Sequence, residues 1–404
     1  MATSKLDLRT GTPIWLGTAA RGIQGDRLQH DVRVDVLVVG AGISGALTAE
    51  ALVDAGMRVA IVDRRGAAKG STAASTALVQ YEIDEPLTLL SKKIGPDNAI
   101  RAWRRSALAL GNLRARTREL GFDCGLDDRS SLYLSGDRLG REALRLEGEA
   151  RRAAGLESVF LGRRALLDRF SLRRDAGLLS FGNMTVDPRR LTLGYLRAAI
   201  AAGATLHAPV EVTKIEASAR LVLVKTKQGP VIRCRHLVYA TGYEIPYVVP
   251  AAGHKIISTF ALATEPQTRR LWPERCLIWE ASDPYLYMRT TPDGRVIAGG
   301  EDEEFADEAK RDALLQTKVA RIARGVGRLF PDLDMQPAYA WTGSFGTTAT
   351  GLPSIGAIPG LKNCWAILGF GGNGITYSRI ASEIMRAHLT GRADPDADLY
   401  AFSD

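Results

Sequence analysis

The sequence is poor in the residues that build metal sites and disulfide frameworks. Its 404 residues include four cysteines, none in a CxxC pair, and five histidines without HxxH or HExxH spacing. Disulfides, a zinc site and metal catalysis are therefore not expected. No apolar run approaches the roughly 20 residues that span a bilayer. The N-terminus lacks the apolar stretch of a signal peptide, so we expect a cytoplasmic protein with no transmembrane segment.

Charge gives little indication of a macromolecular partner. The formal net charge is +8, but the arginines are spread along segments of helical periodicity, 101–118 and 141–152. Such spreading is typical of solvated helix faces, and we expect no nucleic-acid partner. The length suits two domains, since single cores stop growing at roughly 250–300 residues.

What the chain does contain is a glycine-rich turn between a strand and a helix. The sequence VDVLVVGAGISG leads from a dense β-branched run into Gly40, Gly42 and Gly45, and a helical pattern follows. The first glycine permits the tight turn, the second lets a pyrophosphate approach the backbone, and the third lets helix pack on strand. The sequence therefore predicts a dinucleotide site.

An acidic residue, Asp63, ends the second strand of this βαβ unit. In that position a carboxylate accepts hydrogen bonds from ribose hydroxyls and disfavours a 2′-phosphate, so NADP is the least expected ligand. The phosphates are expected at the helix N-terminus, beside Ile43 and Ser44, where free N–H groups and the helix dipole favour negative charge. The turn by itself does not separate NAD from FAD.

The middle of the chain predicts helices and then an antiparallel sheet. Residues 97–175 show apolar positions three and four apart, and alternating strand-like segments with turn residues between them follow a helix at 191–202. A parallel nucleotide domain does not need these segments. We therefore expect the antiparallel sheet to cover a substrate.

A second glycine-rich turn opens a helix near the C-terminus. GFGGNGIT (369–376) precedes the helical pattern YSRIASEIMRAHLTGR. A helix N-terminus points its positive end at an electron-rich group. A flavin has such a group in its N1–C2=O edge, which becomes negative on reduction, and NAD has none that matches. The second turn therefore favours FAD.

With these motifs, the sequence resembles the FAD-dependent D-amino-acid oxidase superfamily, in layout its glycine oxidase, sarcosine oxidase and γ-glutamylputrescine oxidase members. The resemblance rests on VVGAGISG with Asp63, GSTAAST (70–76), VDP (186–188), HLVYATGYE (236–244), WTGSFGTTATGLPSIG (341–356) and GFGGNGIT. It implies an α/β fold in which a Rossmann-type FAD-binding domain is interleaved with an α+β substrate domain built on an antiparallel sheet. We assign residues 31–95, 183–250 and 345–404 to the first domain and 96–182 and 251–344 to the second.

The resemblance also implies which residues hold FAD. Binding is expected to be noncovalent, because residues 335–350 contain no cysteine where sarcosine-oxidase-like members attach their flavin. The expected FAD contacts lie on the two glycine turns, at the end of the second strand and on the segments that pass the cofactor: Gly40, Gly42, Ile43, Ser44, Gly45, Asp63, Arg64, Ser71, Thr72, Val210, Ala240, Thr241, Gly242, Gly371, Gly372, Asn373, Gly374, Ile375 and Thr376.

The chemistry that the resemblance implies is oxidation of a C–N bond in an amine or amino-acid derivative. A hydride equivalent passes to flavin N5, and water hydrolyses the resulting imine. Oxygen is the expected acceptor. Two alternatives remain open: a flavin dehydrogenase that passes electrons to a quinone or a protein, and a flavin-binding module without oxidase activity.

Phe345 departs from the family pattern. Relatives that oxidise amino acids carry an arginine in this segment, which holds the substrate carboxylate bidentately. Phe345 cannot do so, which favours an amine whose carboxylate is absent or remote. Arg289 is a candidate replacement cation, with a structural role on a strand as its alternative.

Three further residues are candidates for the catalytic centre. Lys255 could supply positive charge for O₂ reduction, and Glu301 could pair with a substrate ammonium together with Asp302. Tyr287 is a candidate wall of the substrate pocket. The other candidate walls, each of which core packing would explain equally well, are Gln80, Tyr81, Tyr285 and Trp279.

Overall fold

The computed structural model describes residues 5–17, 21–251 and 253–402. Its α-helices are α1 (Ile14–Gly17), α2 (Ile43–Asp54), α3 (Leu87–Ile94), α4 (Pro96–Leu120), α5 (Arg141–Ala153), α6 (Arg163–Phe170), α7 (Pro188–Ala201), α8 (Glu308–Leu329) and α9 (Gly374–Leu389). Its strands are β1 (Val32–Val39), β2 (Val59–Val62), β3 (Leu78–Val79), β4 (Asp127–Leu134), β5 (Ser158–Gly162), β6 (Ala176–Thr185), β7 (Thr205–His207), β8 (Val212–Ala217), β9 (Val222–Thr226), β10 (Val231–Tyr239), β11 (Lys255–Thr264), β12 (Leu277–Glu280), β13 (Leu286–Thr290), β14 (Val296–Glu303), β15 (Pro337–Thr347), β16 (Ser354–Ala357) and β17 (Cys364–Leu368).

The first sheet contains the parallel strands that the βαβ unit predicts. Its order is β16-β17-β10-β1-β2-β7, with β9 joined to β10 and β8 joined to β9. Strand β1 pairs in parallel with β10 on one side and with β2 on the other. Helix α2 packs against α7 and α9 beside these strands. The carboxyl ends of β1, β2 and β10 therefore meet at one edge, where open α/β sheets bind ligands.

The second sheet has the order β15-β11-β14-β13-β12-β4-β6-β3, with β5 joined to β6. Its pairs are antiparallel except for β12 with β4. Helix α8 covers one face, where Phe260 and Met288 pack with Val319 and Ile322 in a buried cluster. The predicted fold class, a Rossmann-type sheet combined with a largely antiparallel second sheet, is confirmed.

The chain crosses between the two sheets several times. Strand β3 belongs to the second sheet although it lies within the range 31–95, and so do residues 183–185 of β6 and 345–347 of β15. The division into two domains stays a prediction. These three short segments belong to the second sheet, although the prediction assigns them to the FAD-binding domain.

Two other features of the described residues bear on the expectations above. No helix in the ranges that the structure covers is long and apolar enough to cross a membrane. All four cysteines are free and buried, and within the same ranges no group of three or more His, Cys, Asp or Glu residues is placed to hold a metal ion.

A buried ionic cluster ties the helical region to the loop that follows β3. The guanidinium of Arg151 donates to Glu147 at 2.8 Å, lies 4.0 Å from Glu82 and covers the ring of Trp103. Glu147 accepts the backbone N–H of Leu87 at 2.9 Å. Burial by itself would raise the pKa of Glu147, but the charge of Arg151 and the hydrogen bonds from the start of α3 lower it. The cluster therefore holds the C-terminal end of the 80–86 loop in position.

Replacing Arg151 by methionine should destabilise the protein strongly. The change leaves the buried Glu147 carboxylate without its cation, a loss of about 3–5 kcal/mol for a broken buried pair. Urea unfolding followed by circular dichroism measures it. The control is Arg145→Met on the same helix, whose partners Glu142 and Glu149 are exposed, and which should change stability by no more than about 1 kcal/mol. Equal effects of the two substitutions would contradict the role given to the cluster.

Candidate active site

The first glycine turn brings α2 into direct contact with the end of β1. A Cβ atom on Gly45 would lie 1.8 Å from the carbonyl oxygen of Gly40, and one on Gly40 would lie 2.2 Å from the carbonyl oxygen of Ala240. Gly40 also has a φ of +119°, which favours glycine. Both positions therefore exclude any larger residue. This contact sets the N-terminus of α2 at the edge where the parallel strands end.

The N-terminus of α2 has the donors that a pyrophosphate needs. Gly42 at the N-cap position offers no side-chain cap, so the first N–H groups of the helix depend on other partners. One of them, Ile43 N–H, donates to Thr72 Oγ1 at 3.2 Å. The hydroxyl of Thr241, which also lines the cleft, is buried without a hydrogen-bond partner. These groups fit the phosphates of FAD.

Asp63 lines the cleft, and its carboxylate already accepts hydrogen bonds from three backbone N–H groups. Its Oδ2 accepts the N–H of Ala41 at 2.8 Å, and its Oδ1 accepts the N–H groups of Arg65 and Gly66 at 2.7 Å each. A carboxylate offers about four acceptor positions, so one remains for a ribose hydroxyl. The role of Asp63 as a ribose ligand stays a prediction.

Two arginines next to Asp63 share one carboxylate. Arg64 and Arg65 both form ion pairs with Glu244, which follows the ATG segment. Burial opposes ionisation of Glu244, but hydrogen bonds from the two guanidinium groups lower its pKa. The pairs therefore tie the end of β2 to the end of β10 around the nucleotide part of the cleft.

The second glycine turn faces a carboxyl group. Residues Gly371–Asn373 form a 3₁₀ turn before α9, and Gly372 N–H donates to Asp84 Oδ2 at 2.7 Å. Burial raises the pKa of Asp84, opposed by this hydrogen bond and by the charge of Arg138. Asn373 and Thr376 donate to backbone carbonyls of residues 80–82. The turn thus anchors the loop that carries Asp84.

One cleft brings together most of the predicted FAD residues. Those that line it are Gly40, Gly42, Ile43, Ser44, Asp63, Arg64, Ser71, Thr72, Val210, Ala240, Thr241, Gly242, Gly371, Gly372, Asn373, Gly374 and Ile375. Gly45 and Thr376 are outside this lining: Gly45 is the packing contact described above, and the Thr376 hydroxyl is bonded to Gln80 O at 2.7 Å. No cysteine or histidine of the described chain appears in the lining, and noncovalent binding stays a prediction.

The end of the cleft built by the second sheet is aromatic. Phe345, Trp279, Tyr285 and Tyr287 line it, and so does Gln80. The rings of Tyr285 and Tyr287 lie 5.3 Å apart. Trp279 is only 6% exposed, and its Nε1 has no hydrogen-bond partner among the residues that the structure describes. Tyr81, also proposed as a wall, instead packs edge-on against Trp103 at 6.3 Å.

The aromatic end has no arginine or lysine among its described lining residues. Arg289, the candidate replacement for the missing arginine, is fully buried, and its guanidinium donates to the backbone carbonyls of Ala77 at 2.7 Å and Val186 at 3.0 Å. These hydrogen bonds make the Arg289 guanidinium a structural link between the backbones of Ala77 and Val186. Arg289 therefore does not serve as a carboxylate receptor in this arrangement.

Two predicted catalytic residues lie away from the cleft lining. The side chain of Lys255 is 72% exposed and lies 3.8 Å from Glu304 at the surface. Glu301 pairs with Lys318 at 3.2 Å and with Arg321 at 3.4 Å on the side of α8. Phe345 and Tyr287 do line the cleft. Phe345 and Tyr287 stay predicted site residues inside the cleft lining, whereas Lys255 and Glu301 lie outside that lining, and their catalytic roles stay predictions.

Sequence reasoning missed an N-terminal segment that crosses the cleft. Leu8 lines it, the N–H of Leu6 donates to Glu244 at 2.7 Å, and the indole N–H of Trp15 donates to Ser75 O at 2.6 Å. No motif marks these residues. Asp84 was missed for the same reason, whereas Glu244 ends the motif HLVYATGYE but was not singled out within it.

Comparison with known proteins agrees with this geometry. The family model described as DAO, FAD dependent oxidoreductase, matches residues 35–387. The chain belongs to this family. It is 23% identical over 397 residues to γ-glutamylputrescine oxidoreductase of Escherichia coli, covering 91% of this chain and 86% of that protein. It is 25% identical over 387 residues to glycine oxidase of Pseudomonas aeruginosa, covering 88% and 95%.

Solved structures share the fold. Glycine oxidase from Geobacillus kaustophilus has a TM-score of 0.76 at 18% identity, covering 92% of this chain and 99% of that one. L-Proline dehydrogenase from P. horikoshii has the same TM-score and identity, covering 92% and 97%. The predicted family is confirmed, and so is FAD as the cofactor of an FAD-dependent oxidoreductase.

The purified protein should be yellow and should release intact FAD on acid precipitation. The reason is that no cysteine or histidine lines the cleft, so the flavin is held by the donors described above. Chromatography of the acid supernatant identifies the flavin. Colour that stays with the precipitate would show a covalent bond and contradict the noncovalent site.

Gly42→Val should remove most of the bound FAD. A Cβ atom here lies 3.2 Å from Thr72 Oγ1, and the valine methyl groups extend into the space where the pyrophosphate meets the helix. The ratio of flavin to protein absorbance after gel filtration measures the loss. Gly140→Val is the matched control, because Gly140 is also a helix N-cap with ordinary φ and has open space around it. A Gly42→Val protein with full flavin content would overturn the placement of the pyrophosphate.

Proposed function

We propose that this protein oxidises the C–N bond of an amine whose carboxylate is absent or remote from the reacting carbon. The observation that carries the proposal is the aromatic end of the cleft, which Phe345 lines and which has no cation among its described lining residues. The resemblance gives Phe345 the position where relatives that oxidise amino acids carry an arginine. A substrate carboxylate placed there would be buried without a counter-ion, at a cost of several kcal/mol.

The names of the relatives support an amine as the reacting group. One is γ-glutamylputrescine oxidoreductase and another is glycine oxidase, and both names denote substrates with an amino group. In the proposed reaction the carbon beside the nitrogen gives up a hydride, the nitrogen lone pair forms the imine, and water hydrolyses the imine to a carbonyl compound and a free amine. Bound FAD supplies the two-electron acceptor.

The residues of the chain orient the amine and exclude water. Tyr285, Tyr287 and Trp279 provide flat apolar faces that also attract a cationic nitrogen. Burial keeps the pKa of both tyrosines well above the ordinary value, so their hydroxyls stay protonated as donors at neutral pH. The proposed electron acceptor is O₂, which is reduced to hydrogen peroxide.

A panel of amines tests the reaction and the acceptor together. Turnover with peroxide release supports an oxidase, and turnover only with an added dye or quinone supports a dehydrogenase. A protein whose bound flavin is not reduced by any amine of the panel would instead support the third alternative, a flavin-binding module without oxidase activity.

Phe345→Arg should shift preference toward small amino acids. The guanidinium supplies charge-assisted hydrogen bonds of about 1.5–3 kcal/mol each, equal to about a tenfold to hundredfold gain in kcat/KM for glycine relative to an uncharged amine. Steady-state kinetics on glycine, sarcosine, proline and an amine without a carboxylate measure the shift. Phe345→Met is the control for size without charge. Wild-type protein that prefers glycine to all the others would show that another cation holds the carboxylate.

A further inference from the structure

The N-terminal segment that crosses the cleft is bound to the second sheet. Residues 6–12, called the strap from here on, lie beside β15, the last strand in the order of that sheet. Three backbone hydrogen bonds of 2.9 to 3.2 Å join residues 8–12 to residues 340–344 of β15. The hydroxyl of Thr10 also donates to Asp312 Oδ2 of α8 at 2.7 Å. The strap is therefore held at the edge of the second sheet like an added strand.

The beginning of the strap is held at the nucleotide end of the cleft. The N–H of Leu6 donates to Glu244 Oε1 at 2.7 Å, and the carbonyl of Leu6 accepts the guanidinium of Arg65 at 2.8 Å. Arg65 and Glu244 pair with each other and line the cleft. They follow β2 and β10 of the first sheet. The strap therefore connects the two sheets across the cleft.

Leu8 is the strap residue whose side chain lies over the cleft. It is 6% exposed and belongs to the cleft lining. Its Cδ1 lies 3.8 Å from the position of a Cβ atom on Gly70. Gly70 is the N-cap of the short turn that carries Thr72, the acceptor of the Ile43 N–H at the start of α2. Leu8 therefore lies beside the part of the cleft where the pyrophosphate is predicted.

The strap is less firmly packed than the residues that follow it. Pro13, Ile14 and Trp15 are buried, and the indole of Trp15 donates to Ser75 O. Of the seven strap residues, all of which the structure describes, only Leu8 is buried. Segments with few buried apolar contacts open locally at a low free energy while the rest of the fold stays intact. The strap has this property, and residues 13–15 give it a fixed end.

We propose that the strap is a lid over bound FAD, and that FAD enters and leaves the cleft only when residues 6–12 detach from β15 and from Glu244. Leu8 covers the phosphate part of the cleft only in the closed arrangement, so bound FAD favours closure and closure slows the release of FAD. The proposal concerns the cofactor and holds for whichever amine is oxidised.

Gly11→Ala tests the lid by weakening its pairing with β15. Gly11 has a φ of +79°, and a Cβ atom there would lie 2.3 Å from the carbonyl oxygen of Ala340, so a side chain pushes the strap away from the strand. Release of FAD should be faster by about twofold to tenfold for each hydrogen bond lost. The appearance of free FAD after dilution of the holoenzyme measures the rate.

The matched control is Gly360→Ala. Gly360 lies in the turn between β16 and β17, has a φ of +74° and has open space around its Cβ position. The substitution therefore introduces the same backbone strain without a collision and without touching the strap. Gly360→Ala should release FAD at the wild-type rate.

Trypsin cleavage after Arg9 tests the lid in the wild-type protein. A protease needs the strap detached from β15, so the cleavage rate follows the open fraction. Bound FAD should slow this cut at least severalfold relative to the apoprotein. Cleavage after Arg220, in the exposed turn between β8 and β9, is the internal control and should proceed at the same rate in both forms.

The lid would be overturned by a Gly11→Ala protein that releases FAD at the wild-type rate, or by equal acceleration in Gly360→Ala. Equal rates of cleavage after Arg9 in holoenzyme and apoprotein would overturn it as well, and this comparison decides the matter if Gly11→Ala does not fold. None of these measurements uses an amine, so their outcome is separate from that of the proposed function.

Discussion

The cleft depends on the close approach of two backbone segments at Gly40 and Gly45. Because neither residue has a side chain, α2 begins directly at the end of β1. That position puts its free N–H groups at the edge where the parallel strands end, within reach of Thr72 and of the ATG segment. The carboxylate of Asp63 then closes the turn from the second strand. The phosphate site is thus a consequence of packing that only glycine allows.

The aromatic end depends on how the second sheet is joined to this scaffold. Asn373 and Thr376, at the start of α9, hold the carbonyls of residues 80–82, and the ionic cluster of Arg151 holds the same loop from the other side. The loop carries Asp84 to the second glycine turn. Both ends of the cleft are therefore fixed by hydrogen bonds between segments that are far apart in the sequence.

Local motifs could be predicted from the sequence, and long-range pairings could not. The two glycine turns and the strand ending at Asp63 are local backbone patterns that consecutive residues reveal, and they located the parts of the cleft lining at Gly40–Ser44, at Asp63 and at Gly371–Ile375. Leu8 and Asp84 lie outside every motif, and they reach the cleft through contacts with distant segments; Glu244 ends the motif HLVYATGYE, but its pairing with Arg64 and Arg65 is long-range and no local pattern predicts it. Glu301 was singled out as one of a run of acidic residues, and the sequence gives no sign of its pairs with Lys318 and Arg321 on the distant helix α8.

The two ends of the cleft differ in their electrostatics, and this difference argues for a cationic ligand. The N-terminus of α2 favours anions at the nucleotide end, whereas the rest of the cleft has Asp84 in its lining and Asp302 outside the lining, two buried carboxyl groups with raised pKa values. A raised pKa means that each group keeps its proton more readily and so limits the cost of its burial. A cation bound beside the tyrosines reverses this balance, because it stabilises the ionised form and releases the proton. The aromatic end thus suits a cation better than an anion, because a substrate carboxylate there would find Asp84 and no arginine or lysine among the described lining residues around the aromatic rings.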